Sequence, residues 1–262
     1  ANHKMAHPMS YRRILNRMGY YNYQRGLIFH HLDEEGSWNT HLKNCRNFIL
    51  KALDYYKPSK VTVLGSGWLL DLPLKEMIDM VAGINLVDII HPPEVKEQVA
   101  GMKKVILREE DISGGLINEA WQKAGHRTFF NKLRSLDEII INEYQPHFDT
   151  GMVISLNILT QLENLPLEFL RKRSLKNEES FLQFRKKVQS KHISFLKKHE
   201  SVLISDISEV ITGKSGDVIE NPSVVTNLPD AKYREDWTWD FDLKKSYYYN
   251  KKSVFKVSAM IL

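Results

Sequence analysis

The stretch Lys60-Val-Thr-Val-Leu-Gly-Ser-Gly67 joins a short β-branched run to two closely spaced glycines. Pro58 and Gly65 bound the apolar run, a pattern that is typical of a buried β-strand. Further apolar residues recur at helical spacing as far as Val81. A glycine turn between a buried strand and a helix lets the backbone approach a ligand closely and offers unpaired helix amides. An ordinary tight turn is the alternative interpretation.

Strand and helix patterns alternate along most of the chain beyond this stretch. The further strand patterns lie at residues 84–90, 105–107, 152–156 and 202–207. Residues 114–144 are predicted to be mainly helical, a charged helix is predicted at 178–199, and a long surface loop is predicted at 212–232. The alternation predicts crossover connections and a doubly wound parallel sheet with helices on both faces.

The C-terminal part of the chain breaks this alternation. The segments 237–243 and 253–262 are both strand-like, and a short connection rich in Tyr and Lys separates them. Because no helix lies between them, we expect them to pair as an antiparallel hairpin. The sequence thus predicts an α/β domain at residues 59–262, preceded at residues 1–58 by a helical cap over the carboxyl edge of the sheet.

Composition and charge narrow the classes of function. The 42% of hydrophobic and 26% of charged residues are ordinary for a globular protein. We see no apolar run of membrane-spanning length and no apolar signal segment, so the default expectation is a cytoplasmic protein without a membrane partner. The single cysteine, Cys45, is expected on the apolar face of a helix. The net charge of +5 permits an anionic partner, but the basic residues are scattered, so nucleic acid is not favoured.

Polar residues stand where three of the predicted strands end. Asp88 lies about twenty residues after the glycines, where an acid can accept hydrogen bonds from both hydroxyl groups of a ribose. Asp111 closes the third strand, where a carboxylate can receive an adenine amine. A helix cap for Asp88 and a solvated turn for Asp111 are the alternatives. Ser155 and Asn157 place polar side chains at the end of the fourth strand, beside the crevice in which such folds bind ligands.

The glycine turn, Asp88, Asp111 and the closing hairpin, in this order, resemble the class I S-adenosylmethionine-dependent methyltransferase family over residues 60–262. The resemblance implies a mostly parallel seven-stranded sheet with a reversed final strand, and S-adenosylmethionine as cofactor. It implies that the glycine turn approaches the amino acid part of the cofactor, Asp88 the ribose and residue 111 the adenine. The residues that it assigns to the cofactor are Leu64, Gly65, Ser66, Gly67, Asp88, Asp111, Ile112, Ser155 and Asn157.

The glycine turn departs from the family pattern at two positions. Val63 stands where the family often has an acid, and Trp68 to Asp71 occupy the region of the missing third glycine. Asp71 has two equally supported interpretations. It either supplies the absent carboxylate near the cofactor amine, or it lies in the first helical turn, where the helix dipole favours an acid.

The expected reaction is methyl transfer to an unidentified small molecule. Such transfer needs a positioned acceptor and, for some acceptors, a base. Asp206, which ends the fifth strand, and His30 are the predicted catalytic residues, whereas His192 is predicted to be a core histidine. No metal site is predicted. The net charge suggests at most an acidic or phosphorylated acceptor.

Two other classes of function stay open at this point. A non-catalytic protein that binds a partner or nucleic acid fits the missing acid and glycine, with the basic stretch at 171–198 as its surface. A nicotinamide-dependent oxidoreductase is less favoured, because the glycine pattern is incomplete and a closing hairpin is not a feature of that class. The acceptor and the oligomeric state do not follow from the sequence.

Overall fold

The computed structural model describes residues 9–245 and 248–262, and within them eight strands form one sheet. Residues 1–8 of the predicted cap, and 246–247 of the predicted hairpin connection, lie outside the described residues. The strands are β1 (Lys60–Leu64), β2 (Gly83–Asp88), β3 (Val105–Glu109), β4 (Met152–Leu156), β5 (Ser201–Thr212), β6 (Val218–Pro222), β7 (Tyr233–Asp242) and β8 (Lys252–Ile261). The helices are α1 (Tyr11–Met18), α2 (Tyr20–Asp33), α3 (Asn39–Tyr56), α4 (Leu74–Met80), α5 (Pro93–Val99), α6 (Leu116–Ala124), α7 (Asn164–Arg171) and α8 (Glu178–Leu196).

The strand order across the sheet is β3-β2-β1-β4-β5-β8-β7, and β6 pairs with the outer part of β5. Strands β1 to β5 pair in parallel, whereas β8 is antiparallel to both β5 and β7. This confirms the predicted doubly wound sheet and the antiparallel C-terminal hairpin. The chain reverses its direction of winding between β1 and β4, and in such sheets the crevice at the carboxyl ends of those strands is where ligands bind.

Helices cover both faces of the sheet. Helices α3, α4 and α5 pack on one face, where Cys45, Phe48 and Ile49 of α3 are completely buried. Helices α1, α6, α7 and α8 pack on the other face. Because β4 is covered on both sides, all five of its residues are buried, and all but Ser155 are apolar. The central strands therefore form a rigid base for the loops at their carboxyl ends. The division of the chain at residue 58 stays a prediction.

Two local predictions were wrong. Within 114–144, the α-helix extends only over Leu116–Ala124, and a short 3-10 turn follows at Leu136–Glu138. The α-helical spacing of the apolar residues was misleading here. These residues are buried, but the backbone that carries them forms no α-helix; they are Leu133, Leu136 and Ile139. The predicted loop at 212–232 contains β6, whose five residues are all exposed, so that it carries no apolar alternation.

His192 is buried on α8, as predicted, and its Nε2 lies 2.7 Å from the hydroxyl oxygen of Ser155 in β4. Burial lowers the pKa of His192 from 6.5 to about 4. The unfolded chain therefore takes up a proton below pH 6.5 that the folded chain accepts only near pH 4, and stability is lost as the pH falls through this window. We expect this group to lower the free energy of unfolding by about 2 kcal/mol between pH 7 and pH 5.

Urea unfolding at several pH values checks this prediction. The His192→Gln variant keeps a hydrogen-bonding side chain for Ser155 but does not titrate. Its stability should therefore depend less on pH than that of the wild type between pH 5 and 6.5. Burial also lowers the pKa of His41, to about 3, so the wild type carries both effects and only the difference between the two proteins isolates His192. Identical pH profiles would contradict the assignment.

Candidate functional site

A cavity opens at the carboxyl ends of β1, β2, β3 and β4. The glycine turn forms one wall, and the segments that follow β2, β3 and β4 form the others. Helix α2 covers the cavity with Tyr20, Tyr23 and Gln24. Gln24 is tied to both sides, because its backbone carbonyl accepts a hydrogen bond from Trp68 Nε1 (2.8 Å) and its Nε2 donates to the carbonyl of Ile90 (2.6 Å). Helix α2 is thus anchored across the crevice.

The two glycines of the turn serve different purposes. Gly65 has a φ of +86°, and a Cβ there would lie 2.9 Å from the carbonyl oxygen of Leu156 and 2.9 Å from Cβ of Ile158. Only glycine fits this approach of the β1 turn to the end of β4. Gly67 has a φ of +49°, and an added Cβ would meet no heavy atom within 4 Å. Gly67 therefore leaves space in the wall of the cavity.

The helix after the turn begins later than predicted. Helix α4 starts at Leu74, after Pro73, so Gly67 and the helix are separated by an irregular segment in which Leu69 has a φ of +63°. Helix amides are therefore not what the turn presents to a ligand. Instead, the amide of Gly67 donates to Asp88 Oδ2 at 2.8 Å, which fixes the turn against the end of β2.

Three aspartates follow β1, β2 and β3 and line the same cavity. Asp88 accepts hydrogen bonds from the amides of Gly67 and Ile89, both at 2.8 Å. Asp111 accepts from the amides of Ser113 (2.9 Å) and Ile117 (3.1 Å). Burial raises the pKa of both carboxyl groups. Their local hydrogen bonds hold the carboxylates in place at the ends of adjacent strands.

Asp71 supplies the third carboxylate of this row. It accepts a hydrogen bond of 2.8 Å from Asn157 Nδ2, and burial raises its pKa from 3.8 to about 6. Because Asp71 lies ahead of α4 rather than in its first turn, the helix-dipole interpretation of this residue is wrong. The geometry leaves the interpretation in which Asp71 provides a carboxylate to the cavity.

The cavity is acidic although the chain as a whole is basic. Asp71, Asp88, Glu110 and Asp111 line it, and the described lining residues include neither Lys nor Arg. Carboxylates gathered in a partly enclosed cleft create a negative local potential. The cavity thus suits a ligand that carries positive charge and hydrogen-bond donors.

Two buried polar atoms of the cavity lack partners. Ser66 Oγ and Asn157 Oδ1 have no hydrogen-bond partner within residues 9–245 and 248–262. Asn157 has a φ of +52°, which is uncommon outside glycine, and its side chain lines the cavity. A buried polar group without a partner costs about 1–3 kcal/mol. Both atoms are therefore poised to bond a polar ligand.

The strand order with its reversed last strand, β8, decides the fold. The chain has a Rossmann-like α/β fold closed by an antiparallel hairpin. No family model matches the sequence, and no curated protein matches it. The solved structures that resemble the chain at low similarity include the following three.

One is a DhpI–SAH complex (8% identity, TM-score 0.34, covering 97% of this chain and 98% of that one). The others are the methyltransferase domain of bacterial CtHen1-CN (10%, 0.33, 84% and 99%) and a DhpI–SAM–HEP complex (8%, 0.31, 89% and 97%).

Within this fold, most of the predicted cofactor residues lie together. Of the residues predicted to bind the cofactor, those that line the cavity are Gly65, Ser66, Gly67, Asp88, Asp111, Ile112 and Asn157. Leu64 and Ser155 do not line it, and both predictions need correction. The side chain of Leu64 is buried in β1, and the hydroxyl of Ser155 turns into the sheet to meet His192.

The two predicted catalytic residues lie apart. Strand β5 extends to Thr212, so Asp206 lies within the strand and not at its end as predicted. Asp206 Oδ1 accepts a hydrogen bond of 2.6 Å from Thr160 Oγ1, and Asp206 lines a second cavity that adjoins the first. His30 lines neither cavity, so the prediction for His30 needs correction. One turn beyond Leu27, α2 has passed the cavities, and the His30 ring stacks on Phe241 with its Nε2 2.7 Å from the Phe241 carbonyl oxygen.

His30 instead belongs to a small polar cluster with Glu34 and Asp242, whose nearest atoms lie within 4.8 Å of one another. Glu34 is already engaged, because it accepts hydrogen bonds from the amides of Leu243 and Lys244. The cluster connects α2 to the end of β7, and we assign no metal to it.

The sequence analysis missed His41, which lines the first cavity from α3. Its ring stacks on Trp239 at 4.1 Å, and its Nδ1 accepts a hydrogen bond from Trp237 Nε1 at 2.9 Å. Because burial lowers its pKa to about 3, His41 is neutral and adds no positive charge to the cavity. The available signal was a polar residue within the apolar stripe of Leu42 and Cys45.

Among the helices that the structure describes, none is both long and apolar enough to cross a membrane.

Proposed function

We propose that this chain binds S-adenosylmethionine in the first cavity and transfers its methyl group to a small-molecule acceptor. The observation that carries the proposal is the row of Asp71, Asp88 and Asp111 at the ends of three adjacent strands, in a cavity whose described lining has no Lys or Arg. Such a row offers one acceptor group each for the amino acid, ribose and adenine parts of an adenosyl amino acid.

Each carboxylate has a matching part of that ligand. Asp88 would accept hydrogen bonds from the two ribose hydroxyl groups, and Asp111 would accept one from the adenine amine. Asp71 and the unpartnered Asn157 Oδ1 would hold the ammonium group. Ser66 Oγ offers one more hydrogen bond, and Gly67 leaves the space that a side chain would fill. The residues present therefore fit the cofactor.

Bound S-adenosylmethionine supplies a methyl group that its sulfonium makes strongly electrophilic. The chain then has to position the acceptor, exclude water and accept a proton. Helix α2 covers the cavity, and Asp206 lies in the adjoining cavity at the end of the sheet. Burial raises the pKa of Asp206, which makes this carboxylate a stronger base than an exposed one. We propose Asp206 as the base.

The same charges disfavour a nicotinamide cofactor. Its pyrophosphate would lie against the glycine turn, next to Asp71 and Asp88 and without a cation in the described lining. Like charges in a partly enclosed cavity repel strongly. These charges do not distinguish a methyltransferase from a non-catalytic protein. Measurement of ligand binding distinguishes the two.

Calorimetric titration with S-adenosylmethionine, S-adenosylhomocysteine and NADH tests the proposal. We expect micromolar dissociation constants for both sulfur compounds and no measurable heat from NADH. Binding of NADH alone would move the assignment to an oxidoreductase. Absence of binding by all three would leave a non-catalytic protein.

The affinity for S-adenosylmethionine should depend on pH through Asp71. Above about pH 6, the Asp71 carboxyl is ionised and attracts the ammonium group; below it, protonation removes that attraction. Arg46 and Asp88 are the other charged groups that act on Asp71. Calorimetry should show an affinity several-fold lower at pH 5 than at pH 7.5. The Asp71→Asn variant should bind S-adenosylmethionine weakly at both pH values. If its affinity changed with pH as that of the wild type does, the proposed role of Asp71 would be contradicted.

A further inference from the structure

A second cavity of about 340 Å³ adjoins the first at the outer half of the sheet edge. The walls come from β5, β6, β7 and β8, from α2 and α8, and from the segment after β4. The two cavities share the residues Tyr23, Leu27, Gln161, Asn164 and Trp239. A molecule in the second cavity would therefore lie against side chains that also line the first cavity.

The charges of the second cavity are unequal. Asp206 and Glu209 line it from β5, and Arg185 is the one cation among its described lining residues. Arg185 is partly compensated, because its Nε lies 3.2 Å from Glu163 Oε1, a carboxyl group whose pKa burial raises to about 7, and its Nη2 donates to the carbonyl of Ser223 at 3.2 Å. The two carboxylates of β5 outnumber this one cation.

Both carboxylates are held in place. Asp206 accepts the hydrogen bond from Thr160, and Glu209 accepts hydrogen bonds from Ser253 Oγ (2.5 Å) and Tyr248 Oη (3.3 Å). These donors are neutral, so they orient the negative charge without cancelling it. A ligand that brings a positive charge or several N–H groups is favoured at this position, and an anion is disfavoured.

Five aromatic rings contribute to the remaining wall. The rings belong to Tyr23, Trp239, Phe241, Tyr248 and Phe255. Ring faces attract ammonium groups and stack on flat or apolar bodies. Trp239 is 8% exposed, and its Nε1 has no hydrogen-bond partner in the described part of the chain. That donor adds a place for one oxygen or unprotonated nitrogen of a ligand.

We propose that the second cavity holds the methyl acceptor and that this acceptor is an amine with a flat or apolar body. The inference rests on the proposed function, because it places the acceptor beside the S-adenosylmethionine cavity. The bound ammonium group first passes a proton to the Asp206 carboxylate. The resulting neutral nitrogen then forms a bond to the methyl carbon while the carbon–sulfur bond breaks and leaves its electron pair on sulfur, and the methylated amine leaves as an ammonium.

Local charge thus reverses the expectation from the whole chain. The net charge of +5 suggests an acidic or phosphorylated acceptor, but the basic residues that produce it do not line this cavity apart from the partly compensated Arg185. Interactions between charges separated by more than about 8–10 Å are largely screened in solution. The residues in contact with the acceptor therefore set its class.

Ligand-observed NMR on the full chain tests the inference with two probes of similar shape. One is 2-phenylethylamine, and the other is 3-phenylpropionate, which carries a carboxylate in place of the amine. We expect the amine to bind about tenfold more tightly or better, both with and without S-adenosylhomocysteine. Equal binding of the two probes, or preference for the carboxylate, would overturn the inference. The comparison of the two probes uses only the wild-type chain, so effects of mutation on folding cannot alter its result.

Variants locate the amine. Asp206→Asn and Glu209→Gln should each weaken 2-phenylethylamine binding about tenfold and leave S-adenosylhomocysteine binding unchanged. Glu220→Gln is the matched control, because Glu220 is an exposed acid on the neighbouring β6 that lines neither cavity. Unchanged amine binding in both β5 variants, or an equal loss in the control, would contradict the location.

The outcomes separate the two proposals. S-adenosylhomocysteine binding without preference for the amine removes the acceptor class and keeps the proposed function. Amine binding by a chain that does not bind S-adenosylhomocysteine removes the proposed function, and with it the acceptor role of the second cavity.

Discussion

Gly65→Ala is expected to lower the free energy of unfolding by about 2–5 kcal/mol. The left-handed conformation at a φ of +86° costs an alanine about 1–2 kcal/mol. Its methyl group would also lie 2.9 Å from the carbonyl oxygen of Leu156 and from Cβ of Ile158, and such crowding costs typically about 1–3 kcal/mol. Urea unfolding of the purified variant measures the sum.

Gly67→Ala is the matched control two residues along the same turn. Its φ of +49° carries the conformational cost, but no heavy atom lies within 4 Å of the added Cβ. We expect a loss of about 1–2 kcal/mol in stability. The methyl group would occupy space in the wall of the cavity, so the affinity for S-adenosylhomocysteine should also fall. Equal destabilisation by the two alanines would show that the approach of the turn to β4 is not as described.

Asp88→Asn is expected to weaken the binding of S-adenosylmethionine and S-adenosylhomocysteine about 100-fold or more. A hydrogen bond to a charged group contributes about 1.5–3 kcal/mol, and Asp88 would accept two of them from the ribose. The amide also places a donor where the amides of Gly67 and Ile89 now find oxygen atoms. Calorimetry measures the affinity, and thermal unfolding shows whether the variant keeps its fold.

Glu109→Gln is the control for Asp88. Glu109 pairs in register with Asp88 on the neighbouring β3, but its carboxylate bridges to Lys96 at the surface and does not line the cavity. Its removal should change the affinity by less than about threefold. A comparable loss in both variants would mean that the negative charge of this region, rather than contact with Asp88, governs binding.

The sheet and most of the candidate site followed from the sequence because they rest on strong local signals. Buried parallel strands read as short apolar runs, and their ends fall where polar residues begin. Asp88, Asp111 and Asn157 were found in this way, since the carboxyl ends of parallel strands meet at one edge. The closing hairpin was predicted because two strand-like segments had no helix between them.

Other parts had no signal of this kind. The strand β6 is exposed on both faces, so its sequence shows no alternation. The late start of α4 was hidden because Leu70 and Leu72 continue the apolar pattern through irregular backbone before Pro73. His30 was chosen by residue type, and its position depends on how far α2 extends past the cavities. The charge of each cavity depends on which side chains the fold brings together, which the net charge of the chain does not reveal.

The crystal structure of the chain with saturating S-adenosylhomocysteine is the most direct test of the central claim. The account predicts the ribose hydroxyl groups on the Asp88 carboxylate, the adenine amine at Asp111, and the amino acid group beside Asp71 and Asn157. An S-adenosylhomocysteine molecule bound elsewhere, or density absent from the first cavity at saturation, would contradict the account.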